Sequence, residues 1–247
     1  MKLLLLNPNT SATMTESIAA AARQVAAPTT TIVARSSAFG PESIEGHFDE
    51  AFGAAGVAEQ ARLAAGEGFG AAVIACFGDP GLDAAREALA APVLGIAEAA
   101  FHAASFVATG FSVVTTMART VVMAERLVQR YGFERVCRGI HGTDIPVLAL
   151  EAVDESTIAQ IEAAARHALA ADRSEAIVLG CAGMAGLCAE LQRRLGVPVI
   201  DGVAAAVKFA EALASLGLST AKRGDYAGPL PKRWAGWAAG FGEASGG

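Results

Sequence analysis

Along the 247 residues, short runs rich in Val, Ile and Leu alternate with longer Ala-rich segments whose apolar positions recur at helical spacing. That alternation marks βαβ units, in which a parallel sheet buried on both faces is covered by helices. In order, the runs predict strands near 2–6, 30–35, 71–76, 92–95, 110–115, either 134–138 or 145–149, 175–180 and 197–200. Helices are predicted near 13–26, 50–66, 81–90, 97–107, 118–131, 155–171, 184–195 and 203–216. Eight strands exceed one modest sheet, and the two halves of the chain repeat. Val73-Ile74-Ala75-Cys76-Phe77-Gly78 has its echo in Val178-Leu179-Gly180-Cys181-Ala182-Gly183. Ala91-Pro92-Val93-Leu94-Gly95 likewise matches Val197-Pro198-Val199-Ile200-Asp201, and Leu5-Leu6-Asn7-Pro8 aligns with Val113-Val114-Thr115-Thr116.

The expectation is an α/β protein of two similar four-stranded parallel-sheet lobes, helices on both faces, related by a pseudo-twofold axis with a cleft between them. The first lobe is predicted to hold 1–97 plus about 205–247, the last helix returning to cover it, and the second to hold 98–204. The tail from about 218, with Gly228-Pro229, Pro231 and a Gly-rich end, reads as surface wrapping or partial disorder.

Charge narrows the partners. The net charge is −6 with 19 Lys and Arg, so no basic field exists to hold a nucleic-acid backbone or an anionic membrane. Met1-Lys2-Leu3-Leu4-Leu5-Leu6 stops at Asn7-Pro8-Asn9, which favours a first strand over a signal segment, and no run is long enough to span a bilayer. A cytoplasmic protein acting on a small molecule is expected. The four cysteines, Cys76, Cys137, Cys181 and Cys188, are too scattered for a disulfide framework, no C-x-x-C or H-E-x-x-H occurs, and the four histidines are isolated in sequence. No metal site and no cofactor are expected: Gly66-Glu67-Gly68-Phe69-Gly70 lacks the spacing of a nucleotide loop, and lysines placed for a Schiff base are scarce.

Candidate chemistry gathers at the predicted strand ends, where open α/β sheets place their ligands. A cysteine at the start of a helix is stabilised as thiolate by the dipole and free amides, which lowers its pKa from about 8.5. One such cysteine is most simply a small buried hydrophobe, whereas two at matching positions, Cys76 and Cys181, point to a paired site. Cys137 and Cys188 read as packing residues, Cys188 one to two turns inside a helix. Thr10 or Ser11 is an N-cap candidate. Asn7 and Asn9 either structure that turn or offer amides to a ligand. Thr115 and Thr116 end a strand with two hydroxyls. Ser43-Ile44-Glu45-Gly46-His47-Phe48-Asp49-Glu50 is a long polar connection, functional or a capping box before the helix near 50, with His47 a surface or capping residue.

Taken together, Asn7-Pro8-Asn9-Thr10-Ser11, Ser43 to Glu50, Ala75 to Leu82, Thr115-Thr116 and Leu179 to Met184 resemble the hydantoin racemase family, which includes allantoin racemases, within the aspartate/glutamate racemase superfamily. The likeness runs from residue 2 to about 226, and His47 and Gly78 look closer to the allantoin type. It implies a cofactor-independent racemase of 5-monosubstituted hydantoins, allantoin favoured, with Cys76 and Cys181 as thiolate base and thiol acid. It further implies substrate contacts from Asn7, Pro8 and Asn9, from Ser43, Ile44, Glu45 and Gly46, from Phe77 and Gly78, from Thr115 and Thr116, and from Gly180, Ala182 and Gly183. A homo-oligomer is expected. An amino-acid racemase of the same superfamily and a non-catalytic two-lobed binding protein are the alternatives. The absence of Arg and Lys from both cysteine loops disfavours the first, and the matched thiols disfavour the second.

Overall fold

A computed structural model of the chain describes residues 1–242. The first sheet joins β1 (Lys2–Asn7), β2 (Thr31–Ser36), β3 (Ala71–Ile74) and β4 (Val93–Gly95), all parallel, in the order β2-β1-β3-β4. The second repeats the pattern with β5 (Phe111–Thr115), β6 (Cys137–Gly142), β7 (Ala176–Leu179) and β8 (Val199–Asp201), in the order β6-β5-β7-β8. The central strands are covered on both faces, so Leu3 to Leu6, β3 and β7 are continuous apolar runs, while β5 buries Ser112 with its hydroxyl bonded to Asp172.

The sixth strand is shifted toward the C-terminus of the first predicted span, which it overlaps at Cys137 and Arg138. β6 is a half-buried edge strand, so Arg138, Gly139 and His141 replace the apolar signal, and its pairing with β5 slips between Phe111 and Ser112. Residues 145–149 instead follow Pro146 into a short 3-10 turn, Val147–Glu151, which buries Val147 and Leu150.

Among the described residues seven α-helices connect the strands and an eighth follows β8: α1 (Ala12–Val25), α2 (His47–Ala64), α3 (Leu82–Ala88), α4 (Ile96–Val107), α5 (Val121–Tyr131), α6 (Glu155–Asp172), α7 (Cys188–Leu195) and α8 (Gly202–Ser215). Ser11 caps α1, its hydroxyl accepting the Met14 amide. The expected capping box ahead of α2 is only half formed: the helix starts at His47 with Gly46 as its side-chain-free cap, and Asp49 accepts the Glu45 amide. α7 starts later than expected because Ala182–Leu187 is a 3-10 run, and Cys188 therefore opens the helix rather than lying inside it.

The core is continuous through both sheets, from Leu3, Leu5 and Val73 to Phe111, Val113 and Val178. Its pivot is Phe101 on α4, stacked on Phe111 at 5.5 Å and meeting Phe77 edge-on at 5.7 Å. α8 packs against α4, α1 and β3. The tail crosses α3, with Thr220 bonded to the Ala90 carbonyl and Tyr226 to Asp83, and reaches the connection after β2, where Trp237 meets Phe39. Surface wrapping is thus seen as far as residue 242, and the rest of the Gly-rich end lies outside the described residues. Among those residues no helix is long and apolar enough to cross a membrane.

The halves touch most closely where α4 and α8 begin. Ile96 and Gly202 hold equivalent positions, and a Cβ on Gly202 would fall 2.4 Å from the Ile96 carbonyl oxygen. That neighbour is backbone and has no room to yield. Gly202→Ala is expected to destabilise the fold by about 1–3 kcal/mol through overpacking. The measurement is the urea midpoint at constant m, and an unshifted midpoint would contradict so tight a crossing.

Candidate active site

In each sheet the chain leaves the two central strands in opposite directions, which opens a crevice at their carboxyl ends. Asn7 ends β1 and Cys76 follows β3 by two residues; Thr115 ends β5 and Cys181 follows β7 by two. The two crevices face each other and merge into one cleft of about 610 Å³, its open mouth included. Eight predicted residues beyond Asn7 and the thiols share its wall. Asn9, Ile44, Phe77, Gly78, Thr115, Thr116, Gly180 and Ala182 line it together with Cys76 and Cys181.

The others stand outside the wall. Pro8 is buried toward α2, near Gly53, and Ser43 is half-buried in the connection before α2. Gly46 ends that connection under the guanidinium of Arg119. Glu45 accepts the Val147 amide at 2.7 Å, a link across the cleft that Ser11 repeats with Glu151 at 2.5 Å. The amide of Gly183 points at the Cys181 sulfur.

Both thiols are half-buried and line the cleft. Burial pushes Cys76 up to about 12, opposed by a hydrogen bond from the Gly78 amide and reinforced by Cys181, Asp79 and Glu50. Burial also pushes Cys181 up to about 11, opposed by the Gly183 and Met184 amides and reinforced by Glu45. This reverses the expected lowering, and the reason lies in the helices. α3 starts only at Leu82, is seven residues long and is capped by Gly81, so its dipole does not reach Cys76. Cys181 heads a 3-10 run rather than an α-helix. What survives of the stabilisation is the shared C-x-G turn, in which the amide two residues on donates to the sulfur.

The asparagines divide their work. Asn7 spends both amide hydrogens on Asn9 Oδ1 (2.7 Å) and Thr15 Oγ1 (2.8 Å), while its oxygen accepts the Asn9 amide. Among the described residues Asn9 Nδ2 meets only the Met14 sulfur, which leaves it a donor for the cleft. Thr115 donates to the Gly180 carbonyl at 2.9 Å. The Thr116 hydroxyl makes no hydrogen bond among the described residues and is free for a ligand. Asn7 is therefore the scaffold of the ligand-facing pair, not its donor.

Sequence reading missed Met14, Thr120, Met123, Ala124 and Val147, which complete the wall. They come from the first turns of α1 and α5 and from the loop after β6, and a methionine at helical spacing carries no mark that separates a pocket from a core. Among the described residues no Arg or Lys lines the cleft. His47 is exposed beside Glu50 at 3.5 Å. His141 and His167 are not isolated in space: their rings lie 5.5 Å apart, and His141 bonds to Asp172 at 2.6 Å, but neither reaches the cleft.

Comparison with known proteins fits this arrangement. The family model for Asp/Glu/hydantoin racemases matches residues 3–210. A hydantoin racemase of Pseudomonas sp. (strain NS671) is 45% identical, with 98% of this chain and 97% of that protein covered. An allantoin racemase from Klebsiella pneumoniae superposes with a TM-score of 0.95 at 52% identity, covering 98% of each chain. The allantoin racemase of Pseudomonas fluorescens gives 0.92 at 42%, covering 96% of this chain and 100% of that one. Two repeated α/β lobes, a thiol from each in one cleft, and likeness over nearly the full length place this chain in the Asp/Glu/hydantoin racemase family, as a racemase.

Proposed function

We propose that the protein racemises 5-monosubstituted hydantoins at C5, with allantoin the favoured substrate, and so serves purine breakdown. The observation that carries this reading is a cleft lined by two thiols from equivalent positions and, among the described residues, by no Arg or Lys. Glu45, Glu50 and Asp79 all lie close enough to oppose ionisation of a thiol. Such a cleft repels the carboxylate of a free amino acid and admits a neutral ring. The names of the two allantoin racemases support allantoin over other hydantoins.

The chemistry is proton removal beside a carbonyl. One thiolate takes the C5 proton and becomes a thiol, and the C–H electron pair moves into the adjacent C4 carbonyl to give an enolate. The opposite thiol then returns a proton to the other face and is left as thiolate, so atoms and charge balance and the thiols exchange roles. Mutual repulsion opposes a second ionisation, so the active form carries one thiolate and one thiol. The Thr116 hydroxyl and the Asn9 amide are the free donors for the ring oxygens, where negative charge grows.

The test is loss of circular dichroism from single enantiomers of allantoin and of 5-benzylhydantoin, in buffer with EDTA. Allantoin is expected to racemise at least about tenfold faster, a difference of about 1.4 kcal/mol. A faster benzyl compound would overturn the preference, and no loss from either would overturn the substrate class.

A further inference from the structure

Asp79 lies three residues beyond Cys76, is 2% exposed, and takes a left-handed backbone (φ 44) rare for a non-glycine residue. Its amide bonds back to the Cys76 carbonyl at 3.0 Å, closing the turn. Its carboxylate accepts the Ala97 amide at 3.1 Å and the Glu98 amide at 3.0 Å, at the N-terminus of α4. The Tyr131 hydroxyl of α5 adds a third bond at 2.8 Å. α5 also supplies Met123 and Ala124 to the far wall of the cleft.

A cap for α4 did not require this. In the second half, Asp201 ends β8 and caps α8 from the adjoining position, accepting the Val203 and Ala204 amides at 2.9 Å. The residue equivalent to Asp201 in the first half is Gly95, where a Cβ would fall 2.2 Å from the Asp79 carboxyl carbon. The residue three beyond Cys181 is the buried, apolar Met184. The first half has thus moved its helix cap from the strand end into the cysteine turn, and cleared room for it.

We infer that Asp79 is a positioning residue for Cys76: its carboxylate ties the Cys76 turn to α4 and, through Tyr131, to the α5 wall, and so fixes the sulfur's place relative to substrate and to Cys181. The inference rests on the two-thiol reading above. Because the two hands of substrate are of equal energy, the kcat/KM of both directions must fall together, so turnover alone does not tell one thiol from the other. Alkylation of each cysteine by iodoacetamide at pH 8, followed by peptide mass, does.

In Asp79→Asn, racemisation is expected to fall about 100-fold, the effect of a misplacement of about 1 Å. Cys76 is expected to be alkylated at least about threefold faster once the neighbouring negative charge is gone, with Cys137, Cys181 and Cys188 within about twofold of wild type. Unchanged turnover, or slower turnover with Cys76 alkylated no faster than in wild type, would overturn the inference. Should all four cysteines accelerate together, the variant has loosened as a whole, and Tyr131→Phe decides. There kcat is expected to fall about tenfold with KM within about twofold, and an unchanged kcat would overturn the link. If wild-type protein turned over no hydantoin, the proposed function would fall, and the selective alkylation would still be read in Asp79→Asn.

Discussion

Cys76→Ser and Cys181→Ser will each lose racemisation by at least about 1,000-fold, within the range of general acid–base catalysis by one group. The loss follows from inversion itself, which needs a base on one face of C5 and an acid on the other. Serine keeps the shape of cysteine, but its hydroxyl is far harder to ionise, and the surroundings of both thiols already disfavour negative charge. The intact thiol in each variant still removes and returns a proton on its own face. In deuterated buffer each variant should therefore exchange the C5 hydrogen of one enantiomer without inverting it, and the two variants should choose opposite enantiomers. Mass gain at constant circular dichroism is the signature. Near wild-type racemisation in both variants would sink the two-thiol mechanism, and exchange of the same hand by both would mean that the sulfurs do not face opposite sides of the ring.

Much of this arrangement was legible in the sequence because it is written in local pattern. Buried parallel strands such as Leu3 to Leu6 and Ala176 to Leu179 are continuous apolar runs, and the repeat of C-x-G after two of them marked the paired thiols before any coordinates. What escaped depends on partners distant in the chain. β6 is an edge strand whose Gly139 sits against Asp172, a neighbour no window around residue 139 contains. The thiol environment was misjudged because a Gly-rich turn followed by a helical pattern does not say how many residues separate the sulfur from the first helical amide. The partners of Asp79, namely Ala97, Glu98 and Tyr131, lie 18, 19 and 52 positions away. Ile44 and Val147 face one cleft from different halves.

The kcat/KM for racemisation will climb about tenfold per pH unit from pH 6 to pH 9, without a plateau. This parameter reports the ionisation of the free enzyme, whose active form carries one thiolate. Burial raises both thiols, Cys76 to about 12 and Cys181 to about 11, so at pH 7 the active form is a small fraction, and each unit of pH multiplies it by about ten. Two thiolates would silence the site for want of an acid, but that limb lies above the lower of the two values. The window closes at about pH 9 for a second reason. Cys137 and Cys188 are raised by burial as well, to about 12 and about 11, against 9.0 for an unburied thiol. A thiol raised by folding contributes stability that is complete below the unfolded value and lost as pH climbs through the folded one, so the fold itself weakens with alkali above pH 9. Rates taken from pH 6 to pH 9 are therefore free of unfolding. A plateau starting near pH 7 would mean that the cleft holds a thiolate the surrounding protein has stabilised more than its burial opposes, and the C-x-G amides, rather than the substrate's arrival, would then be the source of the base.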